Sequence, residues 1–169
     1  MRILVKKGMR ISAKADYAVR AALELAASTD GKPVKGTKLA EAQGIPLQFL
    51  EHILLDLKHH GLVKTKRGAR GGYWLAEPAE AVTVADVIRA VEGPLANIHD
   101  LAPEETAYEG PATRLRDVWI AVRQNLREVL EHVTLAEVAA GKLPTSVTSL
   151  LDEPEAWVVR DTGSHPVLP

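Results

Sequence analysis

Lys64, Lys66, Arg67 and Arg70 crowd four cations into the run KTKRGAR. Cations set this closely, with no acid between them, neutralise phosphates. Each one that meets a phosphate releases condensed counterions, so such binding depends steeply on salt. The plainer use of a basic run is as a solvated face. His52, His59 and His60 lie just upstream and fit phosphate contacts or ordinary surface positions better than metal ligation. Farther on, His99, Asp100, Glu104, Glu105 and Glu109 are donors of the type a hard metal ion takes, but acids on a loop are as a rule solvated. No Ser/His/Asp constellation and no metal-ligand spacing is present. GARGG is Gly-rich, yet it joins two strands and opens no helix, so it is not a phosphate cradle. An enzyme is not supported.

The elements that must position these side chains can be read from residues 37 to 75. Leu39, Ala40 and Ala42 mark a short helix that stops at Gly44. A second helix follows, with Pro46 in its first turn, where a missing N–H costs nothing. Leu47, Leu50, Ile53, Leu54 and Leu57 recur at helical steps and define its apolar face. Gly61 stops it. LVKTKRG, a Gly-rich tip and GYWLA then read as a two-stranded ribbon. Gly68, Gly71 and Gly72 serve its tight turn. Two helices joined by a Gly turn, then a basic hairpin, form the layout of a winged helix-turn-helix. The fold class expected is therefore mainly α, with a two-stranded wing and a long additional helix. The second helix can enter a major groove and the ribbon can reach the adjacent backbone or minor groove. The same layout also occurs as a purely structural piece.

Charge distribution separates these two uses. Residues 1 to 72 carry 14 Lys+Arg against 6 Asp+Glu, net +8, whereas residues 73 to 169 are net −9. A basic half holding the helix-turn-helix beside an acidic half without one is the asymmetry of a nucleic-acid reader joined to something else. At 169 residues the chain suits one domain with extensions. Only 4% of it is aromatic, so the core must be aliphatic, which suits helices. No apolar run approaches the ~20 residues of a membrane span, and MRILVKKG has no apolar segment of signal-peptide length. A cytoplasmic location with no membrane partner is the default expectation. The chain has no cysteine, which excludes disulfides, thiol switches and all-thiolate metal sites.

The remaining segments sort by periodicity. Residues 1 to 8 form a basic leader, and Met9-Arg10-Ile11 repeats the flavour of Met1-Arg2-Ile3, placing the start of the domain near Met9. Ser12 is a candidate cap for an Ala-rich helix over residues 13 to 28, with Tyr17 and Leu25 facing the core. Thr83 caps a helix ending at Gly93-Pro94. Residues 95 to 110 are acidic, weakly periodic and read as a mobile loop. Residues 112 to 132 form a long amphipathic helix whose apolar set is Leu115, Val118, Trp119, Val122, Leu126, Val129 and Leu130. That stripe is wide for the edge of a small domain, and burial against a symmetry mate is the economical outcome. Thr134 starts a short helix, and residues 141 to 169, with several prolines, read as a flexible tail. The expected organisation is a leader (1–8), a winged helix-turn-helix (9–93), a loop (94–110), dimerisation helices (111–140) and the tail.

The runs MRISAKADYAVRAALELA, GLVKTKRGARGGYWLA, VIRAVEG and LRDVWIAVRQNLREVLEH occur in an order that resembles the Rrf-two family of bacterial transcription regulators, over residues 9 to about 140. The resemblance implies a homodimeric winged-helix protein that binds a palindromic operator on double-stranded DNA, with a long helix for dimerisation. It also implies roles for individual residues. Glu51 matches a recognition-helix glutamate that contacts cytosine, whose amino group a carboxylate can accept from in the major groove. Gln48 takes a base-facing position just before it, with both a donor and an acceptor. Arg67 matches a wing arginine that enters the minor groove. His52, Lys64, Lys66 and Arg70 complete the DNA-binding set, and Leu115, Val118, Trp119, Val122, Leu126 and Val129 the dimerisation set.

The chain departs from that pattern after VIRAVEG. Iron–sulfur members carry three cysteines there, whereas LANIHDLAPEETAYEG has none. Cluster ligation depends on thiolates, so no cofactor of that kind is expected. A small effector near the long helix and a partner protein stay open as signals. Two functions are carried forward: a DNA-binding repressor or activator without a cluster, and a winged-helix adaptor acting through protein contacts. The basic wing and Glu51 favour the first.

Overall fold

The computed structural model describes residues 10–28 and 32–159, so the leader over residues 1–8 lies outside the described residues. The chain folds around its first helix, α1 (Ala13–Ala27), whose buried positions are Ala15, Ala18, Ala21, Ala22 and Leu25. Four alanines make this face nearly flat, so other elements can approach closely. Those elements are α2 (Gly36–Gln43), α3 (Leu47–His59), the hairpin strand β2 (Gly72–Leu75), α4 (Val84–Glu92) and α6 (Leu135–Ala139). Strand β1 (Val63–Lys66) pairs antiparallel with β2. The long helix α5 (Leu115–Leu130) and a last helix, α7 (Thr145–Leu151), lie outside the core, with no fully buried residue in either.

Local chemistry sets the helix boundaries. The Ser12 hydroxyl accepts from the Ala15 amide at 2.9 Å, as an N-cap should, and donates to Glu92 at 2.6 Å. It therefore starts α1 and ties it to the end of α4. Thr83 and Asp86 form a reciprocal capping box at the start of α4, and Thr134 and Glu137 form another on α6. Hydrogen bonds from the Thr134 backbone and hydroxyl hold the Glu137 carboxyl below its ordinary pKa. That cap is complete above the usual glutamate range and is lost as pH falls through the lowered value.

Some expectations from sequence need correction. Ala42 is exposed, because α2 is too short for three apolar positions to share one face, and Leu47 stays partly wet at the first position of α3. The segment over residues 95–110 is not a featureless loop. It contains a 3-10 turn at Pro103–Glu105, and a second turn, Gly110–Ala112, follows before α5. Pro103 sets the backbone for the first, the Ala102 amide donates to the Glu105 carboxylate at 2.9 Å, and Thr106 caps the Pro103 carbonyl at 2.6 Å. Glu104 reaches Arg123 of α5 at 2.6 Å. Its own backbone N–H and the Arg123 guanidinium hold the Glu104 carboxyl below its usual pKa. The regular part of the long helix begins at Leu115 rather than residue 112. Within the tail, Pro144 opens α7, and the Trp157 indole N–H donates to the Leu151 carbonyl at 2.7 Å to close it.

Helix α6 has a place that its sequence neighbourhood did not suggest. The sequence groups it with α5, but Leu135 is fully buried in the cluster built on α1. Its amide donates to the Val82 carbonyl at 2.9 Å, and the Val84 amide donates to Val133 at 2.9 Å. We expect Leu135→Ala to destabilise the chain by about 2–5 kcal/mol, the range for removing a buried leucine. Thermal or denaturant unfolding checks this, and an unchanged midpoint would place α6 outside the core.

Candidate nucleic-acid interface

The helix-turn-helix owes its geometry to contacts at both ends of the turn. Gly44 takes a left-handed conformation (φ 61°) that a side chain would strain, and the Ile45 amide donates back to the Ala40 carbonyl at 2.9 Å. Arg20 of α1 grips the end of α2. Its Nε donates to the Gln43 side-chain oxygen at 2.9 Å, a terminal nitrogen reaches the Gln43 backbone carbonyl, and another meets Asp16 at 3.2 Å. The Gln43 amide in turn donates to Glu24. The same guanidinium lies 5.4 Å over the Tyr17 ring, and Tyr17 meets Phe49 of α3 edge-on at 5.7 Å. One α1 arginine thus fixes α2 and, through two rings, the start of α3.

Helix α3 buries Leu50, Ile53, Leu54 and Leu57. Gln48, Glu51 and His52 fall on its opposite face, all exposed. The structure therefore brings these three residues together on one solvent-facing arc. The His52 Nδ1–H donates to the Gln48 carbonyl one turn back, at 2.7 Å. A carbonyl can only accept, so Nδ1 carries a proton, and Nε2 is left for an outside partner. Between residues 47 and 71 the carboxylates are Glu51 and Asp56. Asp56 is paired with Lys14 of α1 at 2.8 Å, while Glu51 makes no ion pair among the described residues.

The wing begins directly from α3. Gly61 has φ 75°, and the Leu62 amide donates to the Leu57 carbonyl at 2.9 Å. Register pairs Val63 with Leu75, Lys64 with Trp74, Thr65 with Tyr73 and Lys66 with Gly72. Alternation turns Val63 inward and leaves Lys64 and Lys66 exposed. Arg67 and Arg70 stand exposed at the tip. Two features of the wing have no local signal in the sequence. Val34, before α2, exchanges two backbone hydrogen bonds with Tyr73, both at 2.8 Å. Lys35 reaches the Gly68 carbonyl at the wing tip, at 2.7 Å. The hairpin is thus tied to the helix-turn-helix at its base and near its tip. Gly71 and Gly72 make the close approaches possible: a Cβ on Gly71 would lie 2.0 Å from the Lys66 carbonyl oxygen, and one on Gly72 2.5 Å from that of Val34.

The dimerisation set lies on α5. Val118 is 51% exposed and Leu126 37%, and Leu115, Trp119, Val122 and Val129 are half-buried. An exposed, acid-poor helix face with a basic ribbon beside it can hydrogen-bond base edges and neutralise phosphates. A half-wet apolar stripe can bury itself on another surface.

Comparison with known proteins agrees with this geometry. The model of the Rrf2 family, described as an iron-dependent transcriptional regulator, matches residues 11–141. A helix-turn-helix-type transcriptional regulator of Mycobacterium tuberculosis is 50% identical over 145 residues, covering 86% of this chain and 90% of that protein. CymR of Bacillus subtilis is 35% identical over 132 residues, covering 78% of this chain and 91% of CymR. The solved structure of B. subtilis CymR, described as the global cysteine regulator, superposes with a TM-score of 0.67 at 33% identity, covering 80% of this chain and 99% of that one. The T. potens IscR structure gives 0.63 at 32% identity, covering 91% and 95%.

The iron in the family description needs donors. An iron–sulfur cluster is held by thiolates, and no position of this chain is cysteine. Two acids of the segment before α5 are otherwise engaged, Glu104 by Arg123 and Glu105 by the Ala102 amide. No group of three or more His, Asp or Glu side chains among the described residues is arranged to hold a metal ion. These residues do not fit a cysteine-ligated cluster.

The ties between wing and helix-turn-helix are testable without DNA. In Gly72→Ala the new methyl must push Val34 away. We expect faster amide hydrogen exchange at Val34 and Tyr73, with core amides of α1 unchanged. Unaltered exchange at both would mean that the bridge does not hold the wing.

Proposed function

This chain belongs to the Rrf2 family of transcriptional regulators, and from that premise we propose that it is a homodimeric repressor that binds a palindromic operator without a cysteine-ligated cluster. The family and its relatives are regulators of transcription, not enzymes. The observation that carries the proposal is the exposed arc of Gln48, Glu51 and His52 on a helix whose other side is locked into the core, continuous with a ribbon bearing Lys64, Lys66, Arg67 and Arg70. In this reading α3 lies in the major groove. Glu51 accepts from a cytosine amino group, Gln48 reads an adjacent base edge, and His52 meets a base or phosphate. Arg67 enters the minor groove, and the wing lysines and Arg70 lie along the phosphates. Selection of bound duplexes from a random pool, followed by affinity at two salt concentrations, tests the proposal. A palindrome with a steep salt dependence is expected, and failure to enrich any sequence would overturn it.

The exposed stripe on α5 supports the homodimer. Burying Leu115, Val118, Trp119, Val122, Leu126 and Val129 against their symmetry mates removes apolar surface from water and sets two α3 helices about 34 Å apart, one turn of DNA. Sedimentation at micromolar concentration should give a dimer, and Val122→Asp should give a folded monomer. A wild-type monomer would count against the arrangement.

Glu51 is the sharpest test of base reading. A lone carboxylate facing phosphates is repelled unless it reads a base. Glu51→Ala should leave non-specific affinity equal or higher, because repulsion is relieved. Discrimination at one base pair per half-site should fall by about 1–3 kcal/mol. These effects oppose each other in total affinity. The measurement is therefore the ratio of affinities for the operator and a single-base variant, and equal ratios in wild type and mutant would make Glu51 a bystander.

A further inference from the structure

Leu55 is 46% exposed in the middle of the polar face of α3. The other exposed apolar residues of this helix have partners: Phe49 meets the Tyr17 ring edge-on, and the Leu47 side chain lies over Gly36. Leu55 belongs neither to the buried cluster nor to the partly buried residues packed on it. It is one turn beyond Glu51 and three residues beyond His52, so Gln48, Glu51, His52 and Leu55 follow an i, i+3, i+4, i+7 pattern on one arc. The homeodomain recognition helix reads bases from four positions at this same spacing. On such an arc a leucine can offer neither a donor nor an acceptor. The apolar group that a base edge presents in the major groove is the C5 methyl of thymine.

We propose that Leu55 is a specificity-determining residue that packs on a thymine methyl in each half-site, beside the base read by Glu51. The inference rests on the DNA-binding reading above and deepens it. Leu55 then confers a preference that hydrogen bonding on the same helix face does not supply, and its exposure in the free protein is the surface that DNA covers.

Deoxyuridine in place of thymidine removes this methyl and leaves the pairing edge intact. Each thymine of the selected operator is replaced in turn, and each duplex is titrated with the wild-type chain and with Leu55→Ser. For wild type, one thymine per half-site should lose about fourfold in affinity on demethylation, the effect of one methyl-sized burial. For Leu55→Ser, the thymine and uracil duplexes should bind equally at that position. The same thymine-to-uracil ratio in both proteins overturns the proposal, as does the absence of any methyl-sensitive position. A sedimentation change in Leu55→Ser also overturns it, because the residue would then face another protein chain. A wild-type chain that binds no duplex at all instead defeats the DNA-binding reading.

Discussion

The flat alanine face of α1 is the constraint on which the other elements depend. Interaxial distances between packed helices follow the size of the side chains at the contact. With Ala15, Ala18, Ala21 and Ala22 buried, α3, α4 and α6 can all lie close to one helix. A larger side chain at Ala18 or Ala21, both wholly buried, would have no empty space to enter and would displace one of these helices. The displaced helix would carry its exposed face with it. The angle at which α3 presents Gln48, Glu51 and His52 is therefore decided on the far side of that helix, by residues with no chemistry of their own.

Apolar burial and polar contacts divide the work unequally. Leu50, Ile53, Leu54 and Leu57 are fully buried, and each contributes about 1.5–3 kcal/mol of transfer free energy. A hydrogen bond nets about 1 kcal/mol, and a part-exposed ion pair such as Lys14–Asp56 about 0–1 kcal/mol. The core thus decides whether α3 folds onto α1. Burial is nearly indifferent to small rotations, however, and hydrogen bonds are not. Arg20 has three separate acceptors at fixed directions, and the Val34–Tyr73 pair fixes the wing through two more bonds. These contacts add little to total stability and much to orientation, which matters in a protein that must match a groove.

Legibility in the sequence follows the same division. The α3 face, the stop at Gly44, the caps Ser12 and Thr83, and the hairpin were all readable, because each is set by residues within a turn or two of one another. Ala42 and Leu47 were misplaced because a short element or a helix end does not complete its periodic face. The turns before α5 have no signature in the sequence, because they are built from single hydrogen bonds by Glu105 and Thr106 and show no period. The burial of Leu135 and the pairs Arg20–Gln43 and Val34–Tyr73 join distant positions, and nothing in a single chain marks them. For the candidate interface, the four wing cations were legible as charge and spacing, and Gln48, Glu51 and His52 only through the family resemblance. Lys35 and Leu55 were not, since a lysine before a helix and one more leucine in a leucine-rich helix look ordinary until their surroundings are known.

The placement of α5 follows from the same facts. Its stripe is too exposed to have been pulled into the α1 cluster, yet the helix is not free. At its carboxyl end, Arg89 of α4 pairs with Glu131, and the chain then enters the core through Val133 and Leu135. Toward its middle, Arg123 is held by Glu104 from the turn that follows α4. Both anchors therefore connect to α4, whose end is tied to α1 through Ser12–Glu92 and through Lys14, which also pairs with Asp56 on α3. The arc on α3 and the stripe on α5 are separate surfaces, but they rest on one chain of contacts. In the proposed dimer, with two α5 stripes in contact, this path of contacts would hold the spacing between two copies of α3, which is the property a fixed half-site separation requires.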